Sequence, residues 1–159
     1  MRQSRSSSSK NKMISMREVV QPVFRFVSSI RKTNDHLLTT HLGLTLSQFK
    51  ILSALKRAPR TSQRTLADFW MMTEASISRQ VEILAKKKMI TAAHNPESRR
   101  EHLLKLTAEG EKALLKADRL IDVALERTFQ SIGAKERKEF SVLTNRFLSL
   151  MPEYDRISH

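Results

Sequence analysis

Apolar residues recur every three or four positions through most of the chain, the spacing that places them on one face of an α-helix. The first such stretch runs from residue 16 to about residue 40 and predicts a long amphipathic helix, with Pro22 in or near its first turns. Its apolar stripe is larger than one small domain needs. The stripe consists of Val19, Val23, Phe26, Val27, Ile30 and Leu37.

A second helix follows Gly43. Thr45 and Gln48 have the spacing of a capping box, in which each side chain accepts a hydrogen bond from the other residue's backbone N–H. Ala58-Pro59 ends this helix, because the residue before a proline disfavours the helical conformation. Thr61 or Ser62 then caps a short third helix.

A tight connection at Met71-Met72 leads to a fourth helix that Thr73 caps. Ser76, Arg79, Gln80 and the lysines at 86–88 point away from its apolar face. A short helix, a tight turn and a second helix with a polar face together predict a helix-turn-helix. The apolar face consists of Ile77, Val81, Leu84 and part of Ile83.

After Ile90 the period changes from helical to alternating. Residues 91–94 and 102–106 predict two short strands, and the segment 95–101 between them has the composition of a turn with a basic tip. The two strands and the turn between them predict a β-hairpin, and a helix-turn-helix followed by such a hairpin is a winged helix-turn-helix. Two further helices are predicted, one over roughly 108–131 that Thr107 caps and one over about 134–151, separated by Gly133. The predicted fold is mainly α with a small β-hairpin wing (α+β).

This arrangement suggests which residues meet DNA. A recognition helix enters the major groove with its N-terminal residues at the base edges, where serine donates or accepts and arginine binds guanine in a bidentate way. The predicted contacts on the fourth helix are Thr73, Ser76, Ser78, Arg79 and Gln80. On the wing, Arg99 and Arg100 would meet the phosphate backbone or the minor groove.

The charge of the chain also indicates binding to DNA. It has 29 Lys+Arg against 16 Asp+Glu, a net charge of +13, which favours a polyanionic partner. Residues 1–12 contain four basic residues and no acid. We predict a disordered basic arm over 1–15, which either contacts phosphates or is a plain solvated tail.

Three blocks in order resemble the MarR family (multiple antibiotic resistance regulators), winged-helix transcription factors of bacteria and archaea. They are "GLTLSQFKILSAL" (43–55), "TLADFWMMTEASISRQVEILAKKKMI" (65–90) and "NPESRREHLLKLTAEGEKAL" (95–114). The third is the most specific, with its arginine-rich wing tip and Leu106-Thr107-x-x-Gly110. The resemblance spans about residues 16–151.

The resemblance implies a homodimer whose helical dimerisation region comprises residues 16–42 and 108–159, around a DNA-binding domain at 43–107. Such a dimer would repress genes by binding a pseudo-palindromic operator in double-stranded DNA, and a small aromatic or phenolic effector could release it. The chain departs from the family pattern twice. Ser98 stands where relatives have Asp, and Lys88 stands where they have Gly, at a cost of roughly 1 kcal/mol if its backbone is left-handed.

Other functions fit less well. A weakly sequence-specific architectural DNA-binding protein is the alternative that the charge and the basic arm favour. We find no nucleophile–base pair, glycine-rich phosphate loop or cofactor motif, so we do not expect an enzyme. The sequence does not locate a ligand pocket.

Metal binding and membrane insertion are also not expected. His36 and His41 have no acidic or cysteine partner at a useful ligand spacing. A surface or packing role is expected for the histidines, and no metal site is predicted. The five histidines are His36, His41, His94, His102 and His159. There is no cysteine, and no run of eighteen apolar residues or secretory signal. We therefore expect no membrane association and a cytoplasmic protein associated with the nucleoid.

Overall fold

The computed structural model describes residues 14–95 and 98–150, and it describes no side chains for residues 98–101. The predicted arm over 1–15 therefore lies outside the described residues except for its last two positions. The elements within the described ranges are α1 (Met16–Leu42), α2 (Leu46–Arg57), β1 (Thr61–Ser62), α3 (Gln63–Trp70), α4 (Glu74–Lys86), β2 (Ile90–Asn95), β3 (Ser98–Leu106), α5 (Ala108–Phe129) and α6 (Ala134–Ser149). This order confirms the predicted fold class.

The predicted helix starts are confirmed by their hydrogen bonds. Thr45 and Gln48 form the complete capping box, with both N–H···O distances at 3.2 Å. Ser62, rather than Thr61, caps α3 and accepts from the N–H of Thr65 at 3.1 Å. Thr73 caps α4 in the same way. A polar side chain at an N-cap satisfies backbone donors that have no partner inside the helix.

The chain divides after Thr33 into two compact units. The first unit contains the N-terminal part of α1, including Pro22 inside the helix. Proline has no N–H, so the carbonyl four residues earlier loses its helical partner. Most large side chains of this segment are exposed, among them Val19, Val20, Val23, Phe24 and Val27.

The second unit contains one hydrophobic core. Helices α2, α3, α4 and α5, the end of α1 and the middle of β3 each supply buried aliphatic side chains, as the helical periodicity predicted for α2 and α4. The largest fully buried ones are Leu38, Leu44, Ile51, Leu52, Leu55, Leu66, Ile77, Leu84 and Leu104.

The sheet is antiparallel, with the strand order β1-β3-β2. Strands β2 and β3 form the predicted wing hairpin, and both are longer than their alternating pattern indicated. Strand β1 was not predicted. It has only two residues, which pair with Leu103 and Leu104 of β3.

Two helix ends have a left-handed residue that is not glycine. At the end of α3, Met71 has φ 51°, and at the end of α4, Lys88 has φ 57°. After Lys88, the N–H of Met89 donates to the carbonyl of Leu84 at 3.0 Å. The N–H of Lys88 donates to the carbonyl of Ala85, which completes a Schellman motif.

Gly110 lets α5 approach the start of the wing. A Cβ at this position would lie 2.0 Å from the carbonyl oxygen of Met89. The same carbonyl accepts a hydrogen bond from the N–H of Thr107 at 3.1 Å. The hydroxyl of Thr107 donates to the carbonyl of Lys88 at 2.7 Å. The Leu106-Thr107-x-x-Gly110 motif is therefore the joint between β2 and α5.

Helix α6 buries none of its residues. Phe140, Leu143 and Phe147 repeat at helical spacing on one face of α6 and are exposed. No described helix is both long and apolar enough to cross a membrane. The exposed apolar residues of α6 and the position after it are Phe140, Val142, Leu143, Phe147 and Leu150.

Candidate nucleic-acid interface

The helix-turn-helix consists of α3, the turn at Met71-Met72 and α4. The left-handed backbone of Met71 reverses the chain, because it allows the N–H of Met72 to donate back to the carbonyl of Ala67 at 2.9 Å. Thr73 then starts α4 immediately. The turn is thus fixed by a helix C-cap and a helix N-cap that follow each other directly.

The two faces of α4 differ as predicted. Ile77, Val81 and Leu84 are buried in the core. Arg79 is exposed on the opposite side, and Ser76 and Ser78 are half-buried at its flanks. These three polar side chains are available at the N-terminal half of the helix, the part that enters a groove in helix-turn-helix proteins.

Gln80 lies next to the buried stripe rather than on the exposed side. Its Oε1 accepts a hydrogen bond from Nε2 of Gln48 at 3.1 Å. Gln48 is 4% exposed and also completes the capping box of α2. One of the predicted contact residues thus links the recognition helix to α2, which the sequence did not indicate.

Thr73 has a structural role as well. Its Oγ1 accepts from the N–H of Ser76 at 3.2 Å, so the hydroxyl proton remains free to donate to an acceptor outside the helix. The neighbouring Glu74 supplies an acidic residue in the first turn, where negative charge is favoured by the helix dipole.

The wing extends from the core on β2 and β3. Arg99 and Arg100 belong to β3, and their side chains lie outside the described part of the structure. The backbone register places them beyond the last regular pair of the hairpin, His94 with His102. The side chain of Ser98, which stands where the family pattern has Asp, also lies outside the described part of the structure.

The lysines after α4 have separate roles. Nζ of Lys87 donates to the carbonyl oxygen of Gly43 at 2.5 Å, which ties the end of α4 to the turn after α1. Lys88 takes the left-handed backbone conformation that the glycine of the family pattern would take. Lys86 is exposed at the last helical position. The three lysines that the sequence placed away from the apolar face therefore include one, Lys87, that makes a structural hydrogen bond.

Two further basic residues lie near the start of α3, the first helix of the helix-turn-helix. Arg60 and Arg64 are both exposed and lie on either side of Ser62, the residue that caps α3. The first helix of a helix-turn-helix crosses the phosphate backbone, and a helix N-terminus attracts anions. Their sequence signal was a pair of arginines around a predicted N-cap.

The comparisons with known proteins agree with this architecture. A family model described as MarR family matches residues 42–101. The transcriptional regulator HosA of Escherichia coli O111:H- is 24% identical over 106 residues, which are 67% of this chain and 78% of HosA.

Solved structures share the fold. The transcriptional regulator BldR of Sulfolobus solfataricus has a TM-score of 0.74 at 22% identity, covering 87% of this chain and 100% of BldR. A mutant of MarR from E. coli, complexed with operator DNA, has a TM-score of 0.67 at 22% identity over 85% of this chain and 99% of that one. Residues 42–101, which contain the helix-turn-helix and most of the wing, therefore match the MarR family model, and the chain shares the fold of these solved transcriptional regulators.

Proposed function

We propose that this protein is a sequence-specific DNA-binding transcriptional regulator, and that it represses genes as a homodimer on a pseudo-palindromic operator. The observation that carries the proposal is the polar side of α4, where Arg79 is exposed opposite the buried stripe and Ser76 and Ser78 are half-buried at its flanks. The family and the fold are those of transcriptional regulators rather than enzymes. The MarR complex with operator DNA supports the choice of ligand.

The proposed contacts fall into two groups. Arg79, Ser76, Ser78, Thr73 and the free amide hydrogens of Gln80 would meet base edges or nearby phosphates in the major groove. Arg60 and Arg64 would meet the phosphate backbone, and Arg99 and Arg100 would meet the backbone or the minor groove. Phosphate contacts position the domain, and base contacts supply sequence preference.

A second copy of the chain is the proposed partner of the uncovered apolar side chains. Each unit exposes such residues, for example Val23 and Phe24 at 52% and 70% in α1, and Leu143 and Phe147 at 53% and 44% in α6. Contiguous exposed apolar surface marks an interaction site. A two-fold dimer would also present two recognition helices, which matches a pseudo-palindromic site.

We further propose that a small aromatic or phenolic ligand can release the dimer from DNA, as the family resemblance implies. Binding such a ligand would require a conformation with lower DNA affinity, because a ligand shifts an equilibrium only by its differential affinity for two states. A regulator of this kind would act in the cytoplasm, on the nucleoid.

The test is selection of binding sites from a random duplex pool at about 150 mM salt, with excess competitor DNA and with the oligomeric state measured by light scattering. The expected result is a dimer that recovers a pseudo-palindrome with half-sites about 34–36 Å apart, one turn of DNA. Recovery of no motif, with steep salt dependence, would support the architectural alternative instead.

Arg79→Ala should relax the base preference in the half-site and cost about 1–3 kcal/mol of binding free energy. Arg79→Lys is the matched control, because it keeps the charge and loses the bidentate fork. If Arg79 reads a guanine, both variants lose preference while lysine retains more non-specific affinity. Unchanged binding of Arg79→Ala to the selected site and its point variants would show that Arg79 is not a reader.

A further inference from the structure

His94 and His102 face each other across the wing hairpin. They are direct register partners on β2 and β3, and their ring centroids are 4.6 Å apart with an angle of 39° between the planes. Both residues are exposed. They form the last regular pair before the tip, because the register shifts between His94 and Asn95.

This pair lies outside the hydrophobic core and outside the proposed reading face of α4. The next pair on the same strand face is Ala92 with Leu104, and Leu104 is fully buried. The histidines therefore lie on the same face of the hairpin as the buried Leu104 but closer to the tip, where that face is exposed to solvent. Neither ring fills the core, and neither belongs to α4.

We propose that His94 and His102 bind one divalent transition-metal ion, of the Cu²⁺ or Ni²⁺ type, through one nitrogen of each ring. Imidazole is a preferred ligand of these ions, and for a given site affinity rises along the first row to Cu²⁺. The chain has no cysteine, so no thiolate competes for the ion.

The ring separation fits a chelate. A metal ion about 2.0–2.1 Å from an imidazole nitrogen lies about 3.2 Å from the ring centroid. Two such rings are about 4.5 Å apart at a right angle and about 5.2 Å apart at the tetrahedral angle. The 4.6 Å between the two centroids is close to the separation that a right angle at the ion requires once one nitrogen of each ring turns toward it. A right angle is the angle between neighbouring ligands in the tetragonal geometry of Cu²⁺ and Ni²⁺.

The other coordination positions would be open. Among the described side chains, those of residues 14–95 and 102–150, no group of three or more His, Cys, Asp or Glu is arranged to hold a metal ion. Water would occupy the remaining positions, and the ion would exchange with solvent. Such a site suits a response to metal supply better than a permanent structural role.

Occupancy would join the two strands of the wing just below its tip and would add two positive charges there. The effect of the ion on DNA binding rests on the proposed function. If the wing contacts DNA, the bound ion should raise the affinity for DNA, because added positive charge near the phosphates favours binding. The metal site itself does not depend on DNA binding.

The first experiment is a calorimetric titration of the tag-free full chain with Cu²⁺, alongside electron paramagnetic resonance of the bound ion. We expect one site that is lost when both histidines are removed, and a spectrum with coupling to two nitrogens. His94→Phe and His102→Phe keep an aromatic pair across the strands and remove the ligands. Loss of an outer-sphere partner already costs roughly 10–100-fold in metal affinity, so loss of a direct ligand should cost at least roughly tenfold.

The double variant His36→Ala/His41→Ala is the matched control. Both residues are exposed on α1 and five positions apart, which places them on different sides of the helix. This variant should bind Cu²⁺ as the unmodified chain does. Equal Cu²⁺ affinity in the His94→Phe/His102→Phe variant and the unmodified chain would overturn the site.

The second experiment measures affinity for the selected duplex with and without Cu²⁺. Tighter binding in the unmodified chain, absent from the His94→Phe/His102→Phe variant, supports coupling of the ion to the wing. Metal binding without any change in DNA affinity would overturn the coupling. A chain that binds no DNA would overturn the proposed function, and the calorimetric titration would still decide the metal site.

Discussion

At the residue scale, the clearest departure from the usual family pattern is Lys88. It occupies the left-handed position of a Schellman motif, with φ 57°, where a side chain with a Cβ is disfavoured. The N–H of Met89 and the hydroxyl of Thr107 still make the bonds that hold this turn. The left-handed backbone of Lys88 therefore lowers the stability of the fold, while the hydrogen bonds of the turn still join the end of α4 to α5.

Lys88→Gly should raise the free energy of unfolding by about 0.5–1 kcal/mol. Glycine removes a backbone strain of roughly 1–2 kcal/mol that a residue with a Cβ has in the left-handed conformation. It also makes the unfolded chain more flexible, which lowers the stability of the folded state by roughly 0.4–1 kcal/mol. The first effect is the larger one. Chemical denaturation measures the difference. Lys86→Gly, two positions earlier and still helical, should destabilise by about 1 kcal/mol; the same sign for both variants would contradict this account.

The residues that the sequence predicted well are those whose role is local. Thr45, Thr73 and Thr107 were identified as caps because a cap needs only a side chain and the backbone three residues away. The pairing of His94 with His102 was missed, because it depends on the hairpin register and not on spacing along the chain. The hydrogen bond from Lys87 to Gly43 spans 44 positions and has no local signal either.

At the element scale, Gln48 joins two helices. Its side chain accepts from Thr45 at the start of α2 and donates to Gln80 of α4. Because α4 contains the proposed reading residues, this bond helps to fix the rotation of α4 about its own axis. The bond between Gln48 and Gln80 favours one orientation of α4 relative to α2. In another orientation the buried amide of Gln48 would have no hydrogen-bond partner, which costs free energy.

A double-mutant cycle tests the bond between Gln48 and Gln80. Gln80→Ala should destabilise the chain by about 1–3 kcal/mol, because it leaves a buried donor on Gln48 unsatisfied. In a Gln48→Ala background the same substitution should cost about 0.5–1.5 kcal/mol less, and this difference is the coupling energy. Additive effects of the two substitutions would show that the helices are not linked through this pair.

The sequence predicts the elements that depend on local patterns and misses those that depend on pairing with distant residues. The six helices and the hairpin follow from periodicity and caps, which are local properties. Strand β1 has two residues and exists only because β3 pairs with it, so no local pattern could have indicated it. The exact start of β3 also depends on pairing across the wing.

At the scale of the whole molecule, the excess of basic residues and the uncovered apolar side chains argue for two partners. The charge of +13 favours nucleic acid, and the exposed residues of α6 favour protein. The amphipathic pattern and the composition predicted these two features, but one chain cannot specify the geometry of an assembly.

Leu143→Glu should weaken dimerisation by roughly a hundredfold or more. Burial of one leucine contributes about 1.5–3 kcal/mol, and a two-fold dimer contains two copies. Thr144→Glu is the control, because it adds the same charge one position away at an exposed polar residue. Sedimentation at several concentrations separates the variants, and an unchanged dimer in Leu143→Glu would exclude this part of α6 from the interface.

Deletion of residues 1–12 should weaken binding to all DNA sequences about equally. The segment has four basic residues, and each phosphate that the shortened chain no longer neutralises should reduce the log–log salt slope by about 0.9. Affinity measured at several salt concentrations gives the slope. An unchanged slope would mean that the segment is a solvated tail.

The close approach of Gly110 to Met89 has a mechanical consequence. Gly110 lies against the carbonyl of Met89, the residue before β2. The N–H of Thr107 donates to the carbonyl of Met89, and its hydroxyl donates to the carbonyl of Lys88. A rotation of α5 cannot be absorbed at that joint, so we expect the base of the wing to turn with it. Helix α5 would then act as a lever on the wing, and any hinge in the DNA-binding region should lie elsewhere.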